Sequence, residues 1–321
     1  MKSTEELRGL YENQLKPALQ SLEKKRKNLL LKYAIYILGI PAVLAVSYLF
    51  IDNYPVIFYL GLVLIIFFIY KLVRMGREKA EYRDKFKFEV VNEIVSMINP
   101  EWRYEPYNSI QENDYIKSDL FPTSYDRYRG DDKVEGMIEK TDFQFSELHT
   151  EYKTRTTDSN GTTKEKWVTI FKGIFIHADF NKEIQGKTLV LPDTAEKLFG
   201  RFGRKLQAMS KRGELVKMED VEFEKLFVVY GSNQIESRYV LTPAMMRTMV
   251  DIKKRYKKDV YFSFVGSRVY VAISFSKDLF EPRLFRSGVR FKDMEQMNEY
   301  FRIIQTIIQE MNLNTRIWTK K

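Results

Sequence analysis

The sequence has no cysteine. That excludes disulfides, zinc–thiolate sites and thiol catalysis, and it fits a reducing compartment. Histidine is nearly absent: His149 and His177 are the two places where imidazole chemistry has a foothold. A P-loop, a Rossmann glycine fingerprint, HExxH and GxSxG are all missing. GRFGRK (200–205) has glycines and a lysine at the wrong spacing, and DSNG (158–161) is too short for a calcium loop. Arg129-Gly130-Asp131 is a common tripeptide and carries no weight in a cytosolic setting. No cofactor or metal site is implied.

Charge is absent from two long stretches. Tyr33–Ile51 and Tyr54–Tyr70 hold nineteen and seventeen residues without a charged side chain. A transmembrane helix needs about 20 apolar residues. The whole run is too long for one span, and an ionised Asp52 at its centre would be costly. Asp52-Asn53-Tyr54-Pro55 is turn chemistry, with Pro55 suited to the first turn of a second helix. Two spans joined by a tight turn is the economical reading, since few soluble helices are apolar all round for this length. Gly39, Ala42 and Ala45 offer a small-residue face on span one against which span two can pack.

Lysine and arginine are absent from the turn. Lys24, Lys25, Arg26, Lys27 and Lys32 precede span one, and Lys71, Arg74, Arg77 and Lys79 follow span two. Positive flanks mark the cytoplasmic side, which predicts both termini in the cytoplasm and Asp52 outside. The charged segment ahead of span one is too long for the n-region of a cleaved signal peptide. The same residues explain the net charge of +10. Residues 1–32 and 71–88 each carry +4, Asp52 contributes −1, and +3 remains for 89–321. Topology thus accounts for most of the excess, and nucleic acid is disfavoured as a partner.

Leu7, Tyr11, Leu15, Leu19 and Leu22 recur at helical spacing before span one, after a cap at Ser3 or Thr4 and with a bend expected at Pro17. Tyr82, Phe86, Val90, Ile94 and Met97 form a matching stripe after span two, ended by Asn99-Pro100. Antiparallel spans place these stripes side by side, predicting a helical hairpin stalk. About 25 residues at 1.5 Å each would reach roughly 40 Å. The alternative is an N-terminal helix lying flat on anionic lipid. The expected divisions are a cytosolic amphipathic helix (1–32), a two-span hairpin (33–73), a stalk helix (74–99) and a cytosolic domain (100–321).

From residue 101 the period changes to two. WRYEPY, KVEGMIEK and DFQFSELHTEYKTRT read as strands, QENDYIKSDLF as a short helix. A turn at 159–161 leads into the return strand KEKWVTIFKGIFIHADF, and KTLVLPD reads as another. Residues 193–209, 232–239, 243–257 and 293–311 read as helices. VYFSFVGSRVYVAISF reads as a second hairpin turning at Gly266-Ser267. Strands and helices mix without regular βα alternation, so the class is α+β.

Glu147 and His149 share a strand face with Phe143 and Phe145, and His177 and Asp179 share one with Phe171 and Phe175. A hairpin centred on Asn160-Gly161 pairs His149 with Lys172 and His177 with Gln144. The two histidines are then too far apart to share a metal. Glu147, His149, His177 and Asp179 are the candidates for proton transfer, against the plainer role of a histidine held by a carboxylate in a half-buried sheet. Arg201, Arg204, Lys205, Lys211 and Arg212, interleaved with Phe199, Phe202 and Leu206, are the binding candidates. KKRYKK (253–258) adds a second basic cluster. A solvated helix face is the plainer account of both.

YDRYRGDDKVEG, FQFSELHTEY, FKGIFIHADFNK, KTLVLPD, FEKLFVVYGSNQIESRYVLTPAMM and SRVYVAI occur in this order. The set resembles the bacterial family catalogued as domain of unknown function 3137, over roughly residues 100–285. The resemblance implies a protein of the bacterial cytoplasmic (inner) membrane with a cytosolic α+β domain, often encoded beside LemA-type membrane proteins. It implies no activity. The resulting expectation is a membrane-anchored interaction or scaffold module that binds another protein or the anionic bilayer surface, with homo-oligomerisation left open. The alternative is a membrane-bound enzyme with a dispersed site around the His–carboxylate pairs.

Overall fold

The computed structural model describes residues 4–52, 54–157, 163–193, 213–287 and 291–313. The architecture is mixed α+β, and the chain divides into two compact units: residues 1–98 with 280–298, and residues 99–279 with 299–321.

In the first unit, α1 (Thr4–Leu10) passes through a wide π-helical turn at Tyr11–Leu15 into α2 (Lys16–Leu49). Pro17 does not break the helix. It stands in the first turn of α2, where its missing N–H matters least, and the π-helical turn before it takes up the mismatch. α3 (Pro55–Phe86) starts on Pro55, and a second π-helical turn at Lys87–Val91 joins it to α4 (Asn92–Ile98). The intervening turn is closed by Tyr54 N–H donating to Phe50 O at 2.9 Å. Both helices are long and apolar enough to cross a membrane, and only 6% of each apolar window is buried. That exposure sets them apart from the core helices of a soluble fold.

The two helices pack antiparallel. A Cβ on Gly39 would meet the Phe68 ring at 2.4 Å, and one on Gly61 would meet Ser47 Oγ at 2.1 Å. The contact face of α2 is therefore Gly39, Val43 and Ser47. Ala42 and Ala45, expected in it, are exposed. Steps of three drift backward by about 60° each around a helix, whereas steps of four stay closer to one stripe. Beyond the apolar stretch, Lys32 Nζ donates to Glu78 Oε2 at 2.7 Å. Leu15, Leu19 and Leu22 are buried on one helix, and Tyr82, Phe86 and Val90 on the other. The two helices thus stay in contact past the apolar stretch. Residues 280–298 join them: Arg26 Nη1 donates to Leu284 O at 2.8 Å, the Tyr11 and Phe291 rings meet edge-on at 5.5 Å, and buried Lys87 pairs with Glu281 at 3.1 Å.

The second unit is built on an antiparallel sheet. Its elements are β1 (Arg103–Glu105), α5 (Glu112–Lys117), β2 (Arg127–Ile138), β3 (Thr141–Thr157), β4 (Thr163–Pro192), β5 (Glu214–Leu215), α6 (Val221–Glu224), β6 (Phe227–Gly231), α7 (Gln234–Val240), α8 (Pro243–Tyr256) and β7 (Val260–Ser274). α9 (Phe291–Leu313) begins in the first unit and ends in the second. The strand order is β1-β2-β3-β4-β6-β5, and β7 also pairs with β4. β4 is the spine. Its first half pairs with β3, its end with β6, and β7 runs along its other edge from Gly173 to Val190.

Two expectations change here. Residues 163–192 form one strand, and Gly266-Ser267 is not a hairpin turn. Gly266 does have a positive φ of 59°. At that point β7 steps across an irregularity in β4 between Asp179 and Lys187. With β4 alongside on both sides of the glycine, the chain bends and runs on. Helix caps at Asp220, Asn233 and Thr242 accept N–H bonds from the first turns of α6, α7 and α8.

The register pairs His149 with Lys172 and His177 with Gln144, as the hairpin spacing predicts. Because side chains alternate, Phe143, Phe145, Glu147 and His149 point to one face of the sheet, and Phe171, Phe175, His177 and Asp179 to the other. α9 packs on the first face, where the rings of Phe145 and Phe301 lie 5.7 Å apart. The segment carrying α5 packs on the second. There Tyr115 lies 5.4 Å from Phe175, and its hydroxyl is 2.9 Å from Thr150 Oγ1.

Candidate functional site

Arg201, Arg204, Lys205, Lys211 and Arg212 lie outside the described residues, as do most of the helix expected over 193–209 and the hairpin tip at 158–162. The second basic cluster is largely engaged locally. Lys253 Nζ donates to Asp259 at 2.9 Å, Lys254 pairs with Glu222, and Lys258 lies over the Phe275 ring at 5.2 Å.

The four proton-transfer candidates fall on opposite faces of the sheet. Glu147 is buried and accepts the Leu279 N–H at 2.8 Å. His177 is also buried; its Nε2 donates to Gln144 Oε1 at 3.3 Å and lies 4.0 Å from Asp114 Oδ2. Asp179 lies in the field of Arg268, which pairs with Asp142.

Burial keeps the His177 pKa below its ordinary value, with Asp114 opposing. The unfolded chain therefore takes up this proton first as pH falls below about 6.5, so stability declines on the acid side. His177→Gln is expected to flatten the fall in melting temperature between roughly pH 7 and pH 5. His149, lowered in the same direction by burial against Glu151, should leave a smaller residual slope. An unchanged slope in the His177 variant would assign the acid sensitivity to other groups.

The chemistry that sequence reading missed surrounds His149. Its Nε2 is 3.1 Å from Thr169 Oγ1 and 3.6 Å from Glu151 Oε1. Glu151 also receives Arg129 at 3.0 Å and Arg127 at 3.3 Å, and the Arg127 guanidinium stacks 3.7 Å from the centre of the Trp167 ring. Nearby, Lys172 Nζ pairs with Asp278 at 2.8 Å. The predicted register identifies Lys172. It fails two rungs nearer the turn, because a bulge between Thr150 and Glu151 shifts β4 by a residue and brings Thr169 opposite Glu151.

Beyond this root, β2 ends opposite Glu151, and β3 and β4 continue as a two-stranded ribbon. Its described part, 152–157 paired with 163–168, carries Lys153, Arg155, Lys164 and Lys166 against Glu165. Lys153 and Arg155 both bond to Glu165 and hold its carboxyl below the ordinary carboxylate range. The arrangement is a basic arm on a cross-linked root. It suits contact with an acidic surface.

Comparison with the curated proteins finds no match. The crystal structure of the mycobacterial trehalose monomycolate transport factor A, TtfA, is similar at 12% identity with a TM-score of 0.33, covering 64% of this chain and 90% of that one. Residues 169–313 match the family described as Protein of unknown function (DUF3137). That interval runs from the Thr169 rung of β4 through β7 into α9. Over these residues the chain is similar to the DUF3137 family, in keeping with the ordered segments quoted above.

Proposed function

We propose that this protein is a membrane-anchored interaction or scaffold module. Its second unit faces the cytoplasm and binds another protein or the anionic bilayer surface. The anchor carries the reading: two apolar helices joined by a tight turn extend past the apolar stretch as one packed hairpin. A domain tethered in this way meets its partners at a raised local concentration, so weak contacts count. The cytoplasmic assignment rests on the lysine and arginine flanks, and the resemblance adds LemA-type membrane proteins as candidate partners. Arg201, Arg204 and Lys205 are the first basic residues to test.

Photo-crosslinking in native membranes, followed by purification of the full chain, separates binding from catalysis. Reversing charge at Arg201, Arg204 and Lys205 together is expected to weaken capture while melting stays unchanged, and wild-type capture should fall with salt. His149→Gln and His177→Gln should leave capture intact. The opposite result would move the function to an enzyme: folded histidine variants that fail to complement a deletion, beside charge-reversed variants that complement fully.

A further inference from the structure

β7 covers one edge of β4 only from Gly173 to Val190. Its last contact there is Phe275 N–H donating to Lys172 O at 2.9 Å. The chain then leaves that edge, with Asp278 held by Lys172 and the Leu279 N–H held by Glu147. Residues 163–171 of β4 pair with β3 on one side, and among the described residues no strand pairs with them on the other. Nine residues at about 3.4 Å give roughly 30 Å of strand edge. Glu165, Lys166, Trp167 and Thr169 on this stretch are exposed.

We infer that this edge, in line with the end of β7, accepts an extended acidic segment of a partner protein as an added strand. The inference deepens the interaction-module reading and rests on it. Backbone pairing supplies affinity in such additions, and alternate side chains supply selectivity. On one face of β4 an added strand lies beside the exposed Lys166, which calls for Asp or Glu on that face. On the other face it lies beside Glu165, Trp167 and Thr169. Glu165 is already bonded to Lys153 and Arg155, so β-branched or aromatic residues suit that side. A second copy of this edge is disfavoured, because lysine would meet lysine. The Trp167 ring face is covered by Arg127 at 3.7 Å. One face of the ring is therefore taken, and the open backbone favours a peptide over a bilayer.

The test uses the full chain in nanodiscs of neutral lipid and a fluorescein-labelled eight-residue peptide alternating Glu with Val and Thr. A second peptide of the same sequence carries N-methyl groups on alternate amides, which preserves charge and removes one bonding edge. The unmodified peptide is expected to bind at least tenfold more tightly than the N-methylated one. Amide exchange should slow over 165–171, and Lys164→Glu with Lys166→Glu should weaken binding at least tenfold at unchanged melting temperature. Equal binding of both peptides, protection elsewhere, or no binding overturns the inference. Displacement of the peptide by phosphatidylglycerol vesicles or a single-stranded oligonucleotide, without any N-methyl effect, overturns it in favour of a plain polyanion surface. If the Lys164/Lys166 variant still captures its membrane partner by photo-crosslinking, the module reading stands and this docking edge falls.

Discussion

Phe301→Ala should destabilise the second unit by about 3–5 kcal/mol, the range for removing a fully buried phenylalanine. Phe301 is 1% exposed and meets Phe145, itself 0% exposed, edge-on at 5.7 Å. Such a loss is a large share of the roughly 5–15 kcal/mol that typically separates folded from unfolded domains. Urea unfolding of the purified chain should show a lower midpoint with an unchanged slope, whereas Phe301→Leu should cost less than half as much. A cycle with Phe145→Ala should reveal a coupling of about 0.5–1.5 kcal/mol from the ring pair. Additive losses would mean that α9 does not pack on the sheet through this contact.

The second large effect is expected at Gly173. Its φ is +152°, and an added Cβ would lie 2.0 Å from Ile273 O and 2.9 Å from Phe275 N. Both atoms are backbone, so neither can swing aside. In this region of backbone space a side chain costs about 1–3 kcal/mol before the clash is counted. Gly173→Val should therefore detach the last rungs of β7 from β4. Fast amide exchange at Ile273–Phe275 and a fall in melting temperature are expected, with Gly173→Ala milder only in degree. Wild-type exchange at those amides would show that the close approach of the two strands does not occur. The position also matters for the docking edge, since Gly173 stands where β7 ends its run along β4 and the open stretch begins.

Much of the first unit was legible in the sequence. A period of 3.6, an uncharged run and flanking lysines are local signals, and each reports its own helix. Even there, the contact between spans went to Gly39, Val43 and Ser47, because facing a partner depends on rotation around the axis as well as residue size. In the second unit, alternation and one hairpin sufficed to set Lys172 opposite His149 and Gln144 opposite His177.

What the sequence determined by itself is local and periodic: two apolar helices with amphipathic extensions, an α+β domain, and the pairing of residues 143–150 with 171–178. The tertiary structure decided what depends on distant partners. Gly266 became a bend because β4 lies beside it on both sides, a relation no short window contains. The bulge at Thr150/Glu151 shifted the register by one residue and brought Thr169 opposite Glu151, within reach of His149. Residues 280–298 joined the N-terminal hairpin through Leu284 and Phe291, although they lie more than 250 residues from Arg26 and Tyr11 in the chain. Strand phase is lost at every unforeseen bulge and long-range packing leaves no period behind, so neither could be read from the order of residues alone.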